Sequence, residues 1–281
     1  MAAFKLSHGL PWTMHLHGMY GILKSRTLEI PFQQQEPFRQ HLFEVMGYMD
    51  LPSFALGRQN PSLGIWKRYC RKPNYFCRPP HLDSVEIVSG IPRSLIDIFS
   101  GIEDGNATEN NFWSWPGSRG TLSQCQLWEA YRLAGVLTIR YPHLHRSQSK
   151  RTQPSHPSDR ESPMRSVHTA HAPTDIIVTR IVSHLDAIVR AAAEPDVKGS
   201  LILNAIEYPL FLAGLQADVL NEQNQLKQNI RNFYAARGIL DGYARRMTPL
   251  LDILENWWTC SRETTSIHDL ARERGLELGI L

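Results

Sequence analysis

Cys70, Cys77 and His81 come nearest to a metal-ligand set in this sequence. Zinc favours thiolate and imidazole, and a structural zinc site is normally built on two close ligand pairs, each pair about two to four residues apart. Six residues separate Cys70 from Cys77, and Cys125 and Cys260 lie far off on expected helices. The close pair is missing, so the four cysteines read as free thiols of a reducing compartment, with neither a metal site nor a disulfide framework. His15 and His17 stand two apart; on a helix they would point to different faces and make poor joint ligands. His143, His145, His156, His168 and His171 fall in a polar stretch and read as solvated. No Gly-x-Ser-x-Gly, His-Glu-x-x-His or Gly-x-Gly-x-x-Gly motif is present. Asp83, Glu86, Asp97, Glu103 and Asp104 read as carboxylates on helix exteriors, and nothing pairs them for acid–base work. The expectation is that the chain is not an enzyme, with no catalytic residue, no metal ligand and no cofactor.

Phe112-Trp113-Ser114-Trp115-Pro116, with Trp128 and Tyr131 after it, is the richest aromatic cluster. Two readings compete. The preferred one is core packing between helices, since Trp and Phe dominate core burial. The other is the wall of a small-molecule pocket in a helical bundle.

The elements that must position these residues are helices. Apolar residues recur at steps of three and four. Phe38, Leu42, Val45 and Met49 follow Pro37, which suits a first helical turn. Ile91, Leu95, Ile98 and Ile102 flank or follow Pro92. Leu122, Cys125, Trp128, Tyr131, Ala134 and Leu137 form a long stripe, and Trp128 is expected to join the parts of the chain before and after residues 143–172. Ile177, Ile181, Leu185, Ile188 and Ala192 form another, with Thr174 as the expected N-cap. Leu201, Ala205, Tyr208, Leu212, Leu215 and Val219 predict a helix kinked at Pro209. Tyr243, Met247, Leu250, Leu254 and Trp257 follow, then Ile267 and Leu270, with Gly275 as a stop. Trp12, near the chain start, is expected to be loosely packed. Alternation of the kind a strand shows is confined to Leu276-Glu277-Leu278-Gly279-Ile280. The fold class is all-α, multi-helix, with one long disordered loop.

That loop is residues 143–172, between a block at 1–142 and a block at 173–281. Pro, Ser, Arg and His dominate it, and such a composition buries too little apolar surface to offset its ordering entropy. A second, smaller break runs over 60–80. The chain of 281 residues has a net charge of +3. Arg146, Lys150, Arg151, Arg160 and Arg165 against Asp159 and Glu161 account for all of it, so the remainder is neutral. A nucleic-acid-binding body usually carries a basic surplus on its folded part. No direct DNA binding is expected. Arg146, Lys150 and Arg151 could form a weak nuclear-localisation patch or a solvated basic linker. No run of about 18 apolar residues occurs, so no membrane span is expected. The first residues lack a signal-peptide core, so the Asn106-Ala107-Thr108 sequon carries no glycosylation meaning.

Four stretches together resemble the regulatory domain of the fungal six-cysteine zinc-cluster transcription factors. The first is Met14-His15-Leu16-His17-Gly18-Met19-Tyr20-Gly21-Ile22-Leu23. The second runs from Phe38-Arg39 through Asp50-Leu51-Pro52, then Ser89-Gly90-Ile91-Pro92-Arg93-Ser94-Leu95. The third is Gln124-Cys125-Gln126-Leu127-Trp128-Glu129-Ala130-Tyr131-Arg132-Leu133-Ala134-Gly135, with Tyr208-Pro209-Leu210-Phe211-Leu212-Ala213-Gly214. The fourth is Leu250-Leu251-Asp252-Ile253-Leu254-Glu255-Asn256-Trp257-Trp258. The family's six-cysteine cluster is not matched by the four cysteines here, so the chain resembles the regulatory domain alone. The resemblance implies transcription regulation in the nucleus, with the cytoplasm as the alternative, over metabolic or specialised-metabolite genes. It implies a small-molecule effector and the transcription machinery or other regulators as partners. A helical biosynthetic enzyme or ligand-binding protein on the same scaffold, or an inactive fragment, are the competing readings.

Overall fold

The computed structural model describes residues 11–27, 37–71, 85–86, 88–142, 172–193, 201–240, 244–259 and 266–280. They are predominantly helical, as the spacing predicts. The helices are α1 (Thr13–Thr27), α2 (Pro37–Met49), α3 (Arg93–Ser100), α4 (Glu109–Trp113) and α5 (Leu122–Arg140). After them come α6 (Thr174–Ala192), α7 (Glu207–Gly214), α8 (Ala217–Glu222), α9 (Asn224–Leu240), α10 (Ala244–Thr259) and α11 (Ile267–Glu273). Two short strands, β1 (Ala55–Leu56) and β2 (Leu278–Gly279), pair antiparallel with Ala55 opposite Gly279. The C-terminal alternation thus supplies a real, if two-residue, strand. Most of the loop expected at 143–172 lies outside the described residues; Ala172 alone is described.

Local chemistry sets the helix ends. The Thr121 hydroxyl accepts from the Gln124 backbone N–H, and the Gln124 side-chain oxygen accepts from Thr121 N–H at 2.8 Å. Two amides without helical partners are satisfied reciprocally, and α5 starts there. Gly275, at φ +67°, follows the end of α11. Pro209 lies in the first turn of α7, where a proline needs no helical N–H donor. The expected single kinked helix over 201–219 is therefore a 3-10 turn (Leu201–Ile206), then α7, then α8. Thr174 is the first residue of α6 rather than its cap, and its hydroxyl meets Tyr141 OH at 2.8 Å. In α2 the buried face is Phe43, Met46 and Tyr48, whereas Phe38 is 69% exposed. The stripe read from Phe38 lies off the true interface.

α5 and α6 pack side by side in opposite directions. Tyr141 and Thr174 meet at one end, and His184 Nδ1 meets Gln126 Oε1 toward the other. Arg140 also donates to the Ala172 carbonyl at 2.8 Å. α7 lies against both helices and is apolar after its first residue, Glu207, with every residue buried. α10 docks on its C-terminal end: the Trp257 indole N–H donates to Leu215 O at 3.0 Å and the Trp258 indole to Gly214 O at 2.7 Å. One apolar core therefore draws on residues before and after 143–171. A smaller cluster of Trp12, Leu16, Tyr20, Phe43, Met46, Ala55 and Ile65 holds α1 on α2. Trp12 is only 1% exposed, and its backbone N–H donates to Glu277 at 3.0 Å. The expectation of a loosely packed start is wrong, because Phe43, Met46, Ala55 and Ile65 close over Trp12 and Glu277 from the far end of the chain takes up its N–H. No helix among the described residues is long and apolar enough to cross a membrane.

Candidate functional site

Two arrangements stand out in the core, one polar and one aromatic. The first joins α2, the wide turn Trp66–Cys70, the turn after Glu86 and α3. Arg93 on α3 reaches Glu44 on α2 at 2.5 Å. The Trp66 indole donates to Asp97 at 2.7 Å. Glu86 is fully buried and accepts from the Val88 N–H, the Ser89 N–H and the Ser89 hydroxyl. Sequence reasoning put Glu86 and Asp97 on helix exteriors; both are corrected. Glu86 sits in a turn whose own amides solvate it, and Asp97 faces the Trp66 turn. Glu103 and Asp104 are exposed as expected, Asp104 pairing with Lys67 at 2.7 Å.

Burial raises the Asp97 carboxyl to about 6, against the Trp66 bond and the Arg71 and Arg93 charges that lower it. Burial likewise raises Glu44 despite Arg93. The Cys70 thiol is pushed up by burial and by the surrounding carboxylates, and it lies 3.8 Å from Phe43 O. It stays a thiol at neutral pH, a poor nucleophile and a poor metal ligand. The geometry here is that of an ion-pair network clamping α2 to α3, within which burial raises the proton affinity of both Glu44 and Asp97.

The second arrangement is aromatic. Phe54 packs against Tyr48, Phe99 and Tyr208 at ring separations of 5.0, 5.1 and 4.8 Å. Phe99 continues the cluster to Phe112 at 5.0 Å, and Tyr131 lies 5.5 Å from Tyr208. Thr138 links the two sides of 143–171: its hydroxyl donates to Ala134 O at 2.9 Å and receives Tyr208 OH at 2.7 Å. Burial raises all three phenols, Tyr48, Tyr131 and Tyr208. Phe112, Trp115, Trp128 and Tyr131 are all buried here. Phe112 lies directly on Gly135, where a methyl group would come within 2.1 Å of the ring. These side chains pack on each other, which is the core reading rather than a pocket wall. Trp113 is half-buried, with Arg132 5.4 Å above its ring. The Trp128 indole donates to Gly90 O at 2.8 Å and its ring covers Gly120. Trp128 belongs to the core that draws on both sides of 143–171, and Thr138 with Tyr208 makes a direct hydrogen-bonded join between them.

His15 and His17 do not converge. His17 Nε2 lies 2.9 Å from Pro61 O, while His15 Nε2 is buried without a hydrogen-bond partner among the described residues. Cys125 Sγ lies 3.8 Å from Gly120 O, remote from Cys70 in the fold's bonding. Cys77, Cys260, His81, Asp83 and the histidines of 143–171 lie outside the described residues. Among the described residues no group of three or more His, Cys, Asp or Glu is placed to hold a metal ion.

Comparison with family models, curated proteins and solved structures found no match.

Groups that the sequence did not single out include Glu44, Asp50 and His268. Asp50 accepts from Arg58, Ser62 and the Leu63 and Ile65 amides, and so fixes the loop between β1 and the Trp66 turn. The sequence signal for it is slight: a lone Asp at a helix end, ahead of Pro52. His268 accepts from the Gly57 N–H through Nδ1 at 3.2 Å.

Proposed function

We propose that this chain is a transcription regulator of the kind it resembles, a helical regulatory domain like that of the fungal six-cysteine zinc-cluster factors. It acts in the nucleus on genes of metabolism or of a specialised-metabolite cluster. It carries no DNA-binding module of its own and is not an enzyme. A small-molecule effector and the transcription machinery are the partners this reading implies.

What supports the reading is where the resembling stretches lie. Residues 124–135, 208–214 and 250–258 are far apart in sequence, yet they fall on α5, α7 and α10, which meet in one core. Gly214, at the end of the second stretch, is closely covered by Leu254 and accepts the Trp258 indole of the third. These three stretches thus form one packed unit, while residues 14–23, on α1, lie in the smaller cluster.

The test is to fuse the chain to an unrelated DNA-binding domain and measure output from a reporter carrying that domain's sites. A change of output in either direction, relative to the DNA-binding domain alone, is expected. Unchanged output from a stably expressed nuclear fusion would overturn the proposal.

A further inference from the structure

The last described residues close the molecule onto its first. β2 pairs with β1, and the Ile280 N–H donates to Phe54 O at 3.0 Å. Glu277 receives the Trp12 N–H, and Gly57 donates to His268 Nδ1. The fit at Gly57 is tight: its φ is +70°, and a Cβ there would come within 2.2 Å of Leu276 O. Only glycine allows this approach of the two backbones. The segment covers Ala55 and Leu56 and adds Ile267, Ala271 and Leu278 to the buried set.

One side chain in this closure can lose its bonding role by a single proton. An imidazole accepts through Nδ1 only while that nitrogen has a free lone pair, which places the ring proton on Nε2. Adding a proton to Nδ1 turns the acceptor into a donor facing another donor. We propose that segment 266–280 is a proton-sensitive clasp, in which protonation of His268 removes the acceptor for Gly57 and releases the segment from α1 and β1.

The ring's surroundings favour the closed, neutral state. Burial, then Arg272, lowers its affinity for a proton to about 4, and Asp269 opposes this. Asp269 and Arg272 lie on its own helix and pair with each other. The described charged groups on the elements packed against it are engaged or turned to solvent. Arg58 next to Gly57 pairs with Asp50, Glu277 holds Trp12 N–H, Glu255 of α10 pairs with Arg231, and Asp252 of α10 is exposed. The clasp therefore opens as pH falls below the ordinary histidine range.

Amide protection factors from hydrogen exchange of the full chain, followed by NMR at pH 7 and pH 5, test this. From pH 7 to pH 5, protection of Gly57, Leu278 and Ile280 should drop roughly twentyfold, the ratio for a ring at about 4 when closed and 6.5 when open, and at pH 5 it should lie below that of α5. His268→Asn keeps a non-titrating acceptor near the Nδ1 position and should abolish this pH-dependent drop. No drop in the segment between pH 7 and pH 5, protection of the segment at pH 5 equal to that of α5, or the same drop in His268→Asn would each overturn the proposal. Should that variant fail to fold, the imidazole titration of the parent chain serves instead. A His268 midpoint that does not coincide with the loss of Gly57 protection would then overturn it.

Discussion

Single side chains carry opposite pH dependences in this molecule. His268 binds a proton more weakly folded, at about 4, than its ordinary 6.5. Its contribution to stability is complete above about pH 6.5 and is lost as pH falls toward 4, by roughly 3 kcal/mol at about 1.4 kcal/mol per unit. Asp97 binds a proton more tightly folded, at about 6 against 3.8, so it costs stability as pH rises through that window. Asp97→Asn keeps an acceptor for the Trp66 indole without a charge, and should raise stability at pH 7 by about 2 kcal/mol in urea denaturation. An unchanged or lower midpoint would show that the carboxylate is compensated. Gly135→Ala tests the close packing on Phe112. Alanine normally favours a helix by roughly 1 kcal/mol over glycine; here the methyl group meets the ring, and a loss of about 1–3 kcal/mol is expected. Trp128→Ala and Trp12→Ala should each cost about 3–5 kcal/mol, since both side chains are fully buried. A near-neutral Trp12 variant would mean that the cluster between α1 and α2 does not close over it in solution.

At the scale of elements, α10 is held by two indole donors and by Lys227 and Arg231, which lie 4.8 and 5.2 Å from the Trp258 ring centroid. Trp258→Phe keeps a ring for those cations but strands the Gly214 carbonyl. A loss of about 1–3 kcal/mol is expected in the same denaturation measurement. These helices were legible in the sequence because apolar spacing is local: α5, α6 and the stop at Gly275 follow from residues within a few turns. The buried face of α2 was not, because Phe38 and Phe43 are equally apolar and only the partners Trp12 and Ile65 choose between them. The Thr121–Gln124 cap is a local signal that could have placed the start of α5. Glu44 and Asp97 illustrate the opposite limit. A carboxylate's burial depends on donors brought by folding, and Arg93 and Trp66 are distant in sequence from the groups they serve. Trp12 was misjudged for the same reason, its partner Glu277 lying 265 residues away.

At the scale of the molecule, the proposed regulator should not read DNA by itself. The charge surplus of the chain resides in 143–171, and specific affinity needs both phosphate neutralisation and an element that reads a groove. A mobility-shift assay at physiological salt should show no sequence-selective complex, and nanomolar selective binding would contradict the proposal. The central structural claim is that the helices on either side of 143–171 share one core, joined through Thr138 and Tyr208 and through the contact of α5 with α6. Elements of one core unfold together. Hydrogen exchange along a urea series measures this directly, reading α5 and α3 on one side against α6, α7 and α10 on the other. The account predicts that the most protected amides of both sets converge on one opening free energy with one dependence on urea. Two separate limiting values, with α7 and α10 opening while α5 stays protected, would contradict it.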